Sequence, residues 1–403
     1  MLVNDLTPTE AAAHLTDGCA HVETPTELAE RIKRGEPLRV KFGIDPTGSE
    51  LHLGHAVTLH KMQQFVEHGH DVTLLIGDST ALIGDPTGRN DSRPPLTREL
   101  IAENMKSYVE QASRVLDIER ITVRYNSEWL DVLSYADMIR LMTQVTVAQM
   151  LAREDFRTRY TGEVPISLHE FLYPVAQAYD SVALQCDVEL GGDDQLFNFL
   201  LARTYQANAG QLSQICMTLP ILEGTDGKVR MGKSKGNYVA ITEPAREQFG
   251  KVMSIPDSLI ARWARLADFR SVAECAALEA AIAASKTAPM DEKKKLGEAI
   301  VTRYHGAAAA REARDYFERT IQRKEMPTDM AEHALGEADK LIDLMQAVGF
   351  AESKRAAQRL VAEGAVKIDG VPTTDPQFRW SASVPAVLQV GPRKFVRILP
   401  RER

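Results

Sequence analysis

The chain has 403 residues, 44% of them hydrophobic and 26% charged, with a formal net charge of −8. This is the composition of a soluble globular protein with two or three domains. No run approaches the ~20 apolar residues of a membrane span, no basic start leads into an apolar leader, and Cys19, Cys186, Cys216 and Cys275 form no CxxC pair, so the expected setting is a reducing cytoplasm without zinc knuckle, disulfide framework or membrane.

The first half alternates strand-like and helix-like segments. Residues 39–44 (RVKFGI) predict a strand, followed by a turn and a helix through His68. Residues 71–77 predict a second strand, and a Gly/Pro/Asp-rich loop runs from Asp78 to Pro95. Thr97 is placed to cap a helix with Ile101, Met105, Tyr108, Val109 and Ala112 on its apolar face. Residues 121–125 predict a third strand, and residues 187–190 end another. Such alternation predicts an α/β fold with a mainly parallel, Rossmann-like sheet.

After Ile241 the composition turns helical up to about Ile321, and Arg323 to Glu337 reads as a linker. The last residues predict two helices, Lys340 to Val348 and Ser353 to Ala362, then short strands around Val366 to Gly370. From Lys340 onward there are 11 Lys and Arg against 6 Asp and Glu, a balance of +5 that leaves −13 on the rest. A basic tail on an acidic body points to a polyanion at that end, although a solvated basic surface gives the same charge count.

The residues with most chemical content are Gly43-Ile44-Asp45-Pro46-Thr47 and then Leu51-His52-Leu53-Gly54-His55. A strand ends at Asp45 and a helix begins near Gly54. Ligands bind at such strand ends, and a helix N-terminus favours phosphate. Gly54 lets an adenine ring approach the backbone, and His52 and His55 are placed to donate to phosphate oxygens. Alone, the turn is equally consistent with two surface histidines. Its counterpart is the loop from Asp226 to Asn237, which carries Arg230, Met231, Gly232, Lys233 and Ser234. A basic, Gly-rich loop of this kind can fold over a triphosphate. Upstream of it, Tyr173, Gln177 and Asp180 are spaced four and three apart, which puts them on one helical face within about 60°. A polar stripe on a buried helix either closes an internal hydrogen-bond network or binds something polar.

The turn and the loop together resemble the HIGH and KMSKS signatures of class I aminoacyl-tRNA synthetases. RMGKS stands here for KMSKS, so Arg230 keeps a charge of different shape. The polar stripe resembles the YxxxQxxD element of tyrosyl-tRNA synthetases, Ile83-Gly84-Asp85-Pro86-Thr87-Gly88 resembles their IGDPSG run, and Gly191-Gly192-Asp193-Asp194-Gln195 resembles GG(S/T)DQ. The tail, with SKRAAQRLVAEGAVKIDGVP and VGPRKFVRI, is similar to the αL-type RNA-binding motif.

The resemblance implies a two-step ligase. It activates tyrosine with ATP-Mg and then loads tRNA(Tyr) in translation. It implies catalytic Thr47, His52, His55, Arg230 and Lys233. ATP falls to Asp45, Gly54, Asp194, Lys233 and Ser234, and tyrosine to Asp85, Thr80, Tyr173, Gln177, Asp180 and Gln195. Lys354, Arg355 and Arg359 would meet tRNA phosphates. A homodimer is implied, with no resident metal and no DNA partner. Lys41 stands where some members place a tyrosine against the phenol. Asp193 replaces the usual Ser or Thr and brings a second carboxylate beside Asp194, which would raise one pKa or recruit a cation.

The implied layout is a catalytic domain over 1–225, the basic loop over 226–240, a helical domain over 241–325, a linker over 326–339 and an RNA-binding domain over 340–403. Three rivals remain at this level: a tryptophanyl enzyme, whose helix usually reads QAAD where this one reads Gln177-Ala178-Tyr179-Asp180; another HxGH nucleotidyltransferase; and a non-catalytic RNA-binding protein that kept the fold.

Overall fold

The computed structural model describes residues 6–46, 48, 50–86, 97–323, 330–334, 340–380, 384–391 and 394–400. Thr47, Thr87 and Gly88, and Pro392 and Arg393 of the tail motif, lie outside them. The chain divides into two compact units, Met1–Tyr304 and His305–Arg403.

The first unit is built on a six-stranded sheet: β1 (His21–Glu23), β2 (Arg39–Ile44), β3 (Asp71–Ile76), β4 (Thr122–Tyr125), β5 (Val188–Gly192) and β6 (Ile215–Leu219). The spatial order is β1-β6-β5-β2-β3-β4, with only β1 antiparallel. Central β2 has β3 on one side and β5 on the other, with Val40 opposite both Val72 and Val188. The chain leaves β2 for β3 through helix α1 (Leu53–Glu67) and reaches β5 only later. The strand order therefore reverses beside β2, which is where an open parallel sheet makes its ligand crevice.

β6, Ile-Cys-Met-Thr-Leu, escaped the sequence reading although all five residues are buried. A strand covered on both faces shows no alternation of polar and apolar residues, so the period-2 signal is missing. β1 is three residues long and was missed for the opposite reason, too little sequence to show any period. Thr97 does cap its helix, Arg98–Ala112, accepting from the Leu100 N–H at 3.3 Å.

Sequence composition placed a domain boundary near Ile241. The packing differs. Val252, Ile255, Ile260, Trp263 and Ile300 share one apolar cluster with Leu53, Met62 and Phe65 of α1 and with strands β2, β3, β5 and β6. Those helices share the sheet's apolar cluster. The helix Pro289–Phe317 is broken at Gly306, whose φ of 84° suits glycine and penalises other residues.

The second unit holds a five-stranded sheet: β7 (Ala331–Ala334), β8 (Val366–Ile368), β9 (Val371–Pro372), β10 (Ala386–Val390) and β11 (Lys394–Leu399), in the order β7-β11-β10-β8-β9. Two helices, Leu341–Ala347 and α2 (Lys354–Ala362), pack Leu341, Met345, Ala357 and Val361 against Leu388, Val396 and Ile398. Asp369 and Gly370 turn the β8–β9 hairpin with φ of 49° and 81°, the left-handed pair that tight hairpins favour. The linker expected over 326–339 contains β7, which pairs in parallel with β11. Its sequence, AEHA, carries too little β propensity to be found without its partner strand.

Trp263 is fully buried in the cluster that helices and sheet share. Trp263→Ala should therefore cost about 3–5 kcal/mol and lower the urea midpoint of the first unit. Unfolding curves indistinguishable from the parent would show that the helices do not share the sheet's core.

Candidate active site

A cleft of about 910 Å³ opens at the carboxyl ends of β2, β3, β5 and β6. Every candidate residue predicted in the first unit lines it except Thr47, which lies outside the described residues.

β2 ends at Ile44, and α1 begins at Leu53 with His52 as its N-cap in an extended conformation. The His52 backbone N–H donates to His55 Nδ1 at 3.1 Å, so His55 carries its proton on Nε2. The two rings lie 3.8 Å apart between centroids. Gly54 has no room for a side chain, because a Cβ would stand 3.0 Å from the His52 ring. Burial, followed by the charges of Lys233 and Arg230, lowers the His55 pKa to about 4. Burial, then His55 and the same two cations, holds His52 well below the ordinary imidazole value. Both histidines are thus neutral hydrogen-bond donors near pH 7.

The basic loop is tied to this turn by backbone pairing. Leu53 N–H donates to Val239 O at 3.0 Å, and Ile241 N–H donates to Leu51 O at 3.1 Å. The loop is itself clamped by Asn237, a residue the sequence reading passed over. Its Oδ1 accepts from Gly232 N–H at 2.9 Å, and its Nδ2 donates to Asp226 Oδ2 at 3.0 Å. Gly224 must be small here, since a Cβ would come within 2.2 Å of the Asn237 amide. The clamp carries Lys233 toward Gly48, where a Cβ would meet Nζ at 2.7 Å. That ammonium is buried, 6.0 Å from the Tyr108 ring centroid, and has no hydrogen-bond partner among the described residues. Burial lowers its pKa. Arg230 donates to Asp194 Oδ2 at 2.8 Å, so this loop residue pairs with a carboxylate expected at ATP.

The other end of the cleft is made by α3 (Leu172–Ala183), with Tyr173 and Asp180 buried and Gln177 half-buried. Asp180 Oδ1 accepts from Trp129 Nε1 at 2.8 Å, and Oδ2 from Asn126 Nδ2 at 3.3 Å. Burial raises the Asp180 pKa to about 6, against the opposing pull of Lys41 and these donors. Gln177 Oε1 accepts from Asn198 Nδ2 at 2.8 Å, and the same amide reaches Gln195 Oε1 at 3.0 Å. Gln195 Nε2 donates to Asp85 Oδ2 at 3.1 Å. Trp129, Asn126 and Asn198 were not found from sequence. The signal available for the first two was their place just past the carboxyl end of β4.

Two carboxylates have neighbours that the sequence reading does not anticipate. Asp45, expected at ATP, accepts from Thr80 Oγ1 at 2.8 Å and Tyr173 OH at 2.9 Å, both expected at the amino acid. Burial and the nearby Asp85 raise its pKa to about 7. Gly77 makes this contact possible, since a Cβ there would fall 2.0 Å from Asp45 Oδ1. The neighbour that raises Asp194, after burial, is Asp85 and not the adjacent Asp193. Asp193 instead accepts from Thr218 Oγ1 at 2.8 Å. Among the described residues no cluster of three or more His, Cys, Asp or Glu has metal-binding geometry.

Lys354, Arg355 and Arg359 are exposed on α2 of the second unit, Arg355 and Arg359 on the side opposite its buried Ala357 and Val361. Lys354 pairs with Asp343 at 2.7 Å, and Arg359 with Glu363 at 3.7 Å.

Comparisons with known proteins agree with this geometry. The family model for tRNA synthetases class I (W and Y) matches residues 33–322, and that for the S4 domain matches residues 340–383. A tyrosine--tRNA ligase of Thermotoga maritima is 47% identical over 98% of both chains, and one of Methylococcus capsulatus is 46% identical over 96% of this chain and 98% of its own. Among solved structures, the tyrosyl-tRNA synthetase of Archaeoglobus fulgidus complexed with L-tyrosine superposes with a TM-score of 0.62 at 24% identity, covering 76% of this chain and 99% of that one. That of Aeropyrum pernix gives 0.63 at 21% identity, over 78% and 99%. With a cleft that joins the histidine turn, the basic loop and the Tyr173–Gln177–Asp180 face, and with relatives matched from end to end, the chain belongs to the tyrosyl-tRNA synthetases of class I.

Proposed function

We propose that the chain works as a tyrosine--tRNA ligase through the residues of this cleft. A tyrosine carboxylate oxygen attacks the α-phosphorus of ATP, bound as its magnesium complex, and pyrophosphate leaves. A hydroxyl of the terminal adenosine of tRNA(Tyr) then takes the acyl group, and AMP leaves. Neither step requires a covalent enzyme nucleophile; both depend on positioning and on stabilising the charge that develops.

The observation that carries the reading is Asp180. It is a buried carboxylate with two N–H donors at one end of the cleft, and it suits a substrate that brings a hydroxyl to that depth. A phenylalanine ring in the same place leaves the carboxylate without that partner, a costly state in a buried site. Tyr173, Gln177, Thr80, Asp85 and Gln195 bound the same space. The excess of carboxylates, Asp45 and Asp85 among them, favours the substrate ammonium. At the other end, the unpartnered Lys233 ammonium and the neutral His52 and His55 suit the phosphates, with Thr47 and Ser234 assigned beside them from the motifs. Gly54 and Asp194 would face the nucleoside. ATP ribose and Arg230 compete for Asp194, so nucleotide binding would release Arg230 toward the leaving pyrophosphate. A cytoplasmic homodimer fits the exposed Val132, Tyr135, Ile139, Met142 and Val147, a run of apolar side chains within one stretch of the first unit.

ATP–pyrophosphate exchange measured with each of the twenty amino acids tests the reading. Tyrosine should support exchange and tryptophan should not; the reverse would move the chain to the tryptophanyl enzymes. Asp180→Asn should raise KM for tyrosine at least about tenfold, the scale of one lost charge-assisted hydrogen bond, with KM for ATP unchanged. Equal effects on both substrates would remove Asp180 from the amino-acid pocket.

The raised pKa values of Asp180, about 6, and Asp45, about 7, set a pH dependence. Both folded-state values exceed the ordinary carboxylate value, so the stability they contribute is present at low pH and is lost as pH rises through 6 to 7. Tyrosine, which brings an ammonium and a hydroxyl donor, should offset that loss. The rise in melting temperature on adding tyrosine should therefore be larger at pH 8 than at pH 5.5. A rise that is the same at both values would show that neither carboxylate changes charge in this range.

For the tail, charge reversal at Arg355 and Arg359 should leave pyrophosphate exchange intact and weaken tRNA charging, with a flatter dependence on salt. Loss of exchange as well would mean that these residues support the fold.

A further inference from the structure

An ion pair lines the amino-acid end of the cleft and has no part in the roles assigned above. Lys41 on β2 and Glu189 on β5 are each 1% exposed, with Lys41 Nζ 3.1 Å from Glu189 Oε1. Lys41 also donates to the Gln177 carbonyl at 3.4 Å. Glu189 Oε1 accepts from Gln177 Nε2 at 3.3 Å, and Oε2 accepts from Ser181 Oγ at 3.2 Å and from Gln214 Nε2. Burying two charges costs several kcal/mol per ion, and an apolar pair of similar volume holds strands together as well or better. Stability alone therefore gives no account of charges at this place.

Their surroundings do. Lys41 and Asp180 line the same cleft, and Lys41 Nζ reaches the carbonyl of Gln177, three residues before Asp180 on α3; from there its charge favours the Asp180 carboxylate, while that of Glu189 opposes it. Trp129 and Asn126, beyond β4, face it with neutral donors. On its own helix Tyr173 stands toward Asp45, which also contacts Thr80 and feels Asp85. Lys41 is thus the cation that acts on Asp180 within a group of carboxylates. The same ammonium anchors Glu189, and Glu189 holds the amide end of Gln177.

We propose that Lys41, paired with Glu189, is a specificity-determining positioning residue: it supplies the positive charge that lets Asp180 accept the substrate hydroxyl, and through Glu189 it fixes the orientation of Gln177. This rests on the tyrosine reading of the cleft. Discrimination against phenylalanine is then a property of three residues on β2, β5 and α3, and not of Asp180 alone.

Pyrophosphate exchange with tyrosine and with phenylalanine, across pH 5.5 to 9, tests this in the full-length protein. Lys41→Met should lower kcat/KM for tyrosine about tenfold or more, the factor that one unit of carboxylate pKa corresponds to. The loss should lie in the KM for tyrosine. Activity toward phenylalanine and KM for ATP should change little, and the acidic limb of the tyrosine profile should move to higher pH. Lys41→Arg, which keeps the charge, should restore that limb. Lys41→Met combined with Glu189→Gln removes the unpaired carboxylate that threatens folding of the single variant; its tyrosine limb should remain displaced. A double variant with the parent's pH limb and selectivity would overturn the proposal, as would equal losses with tyrosine and phenylalanine. Parent protein that exchanges with tryptophan and not tyrosine would instead sink the tyrosine reading itself, before any variant is compared.

Discussion

Two backbone hydrogen bonds, Leu53 to Val239 and Ile241 to Leu51, hold the basic loop against the histidine turn. They join the start of α1 to the segment leaving the basic loop, two stretches far apart in sequence. Side chains on flexible stems would leave Lys233 free to wander. Backbone pairing fixes the root of the loop to the helix N-terminus, and Asn237 fixes the loop to its root. Catalysis by differential binding gains from such an arrangement, since a cation held near its working position loses little freedom when the transition state forms.

The two ends of the cleft carry opposite electrostatic demands. One collects cations, and burial keeps its histidines neutral so that they add donors without adding repulsion. The other collects carboxylates, and burial pushes Asp45 and Asp180 upward until their charge is conditional. In the proposed reaction, amino acid and triphosphate would each bring what one end lacks. The Arg230–Asp194 pair crosses between the two demands. It satisfies a carboxylate and a guanidinium that would otherwise both be exposed to their own kind, and it is weak enough, being partly solvated, to give way to a ligand.

Much of this was legible in the sequence because it rests on local pattern. Residues 39–44 and 71–76 show strand character directly, Thr97 announces its helix, and the spacing of Tyr173, Gln177 and Asp180 fixes a common face. The features that stayed hidden depend on partners distant in the chain. β6 is buried throughout and shows no alternation because both its faces are covered. β7 has no strand character until β11 lies beside it. Asp45 precedes the histidine turn in sequence, yet its side chain points to Tyr173 and Thr80 because Gly77, just past the end of β3, leaves space for it. The helices after Ile241 look independent by composition, and only the shared burial of Trp263 and Phe65 shows otherwise.

The parallel pairing of β7 with β11 bears on what counts as the tail domain. The S4 match spans residues 340–383, yet Leu388, Val396 and Ile398 of its core follow that span, and β7 precedes it. A fragment cut to the match would lose most of its sheet. A fragment begun at Lys340 would keep β11 with one long, unprotected edge, the kind of surface on which strands of other molecules add. The piece able to live alone runs from before Ala331 through Leu399. The four residues of β7 are thus a cover strip on the sheet edge, outside the span by which the module is matched.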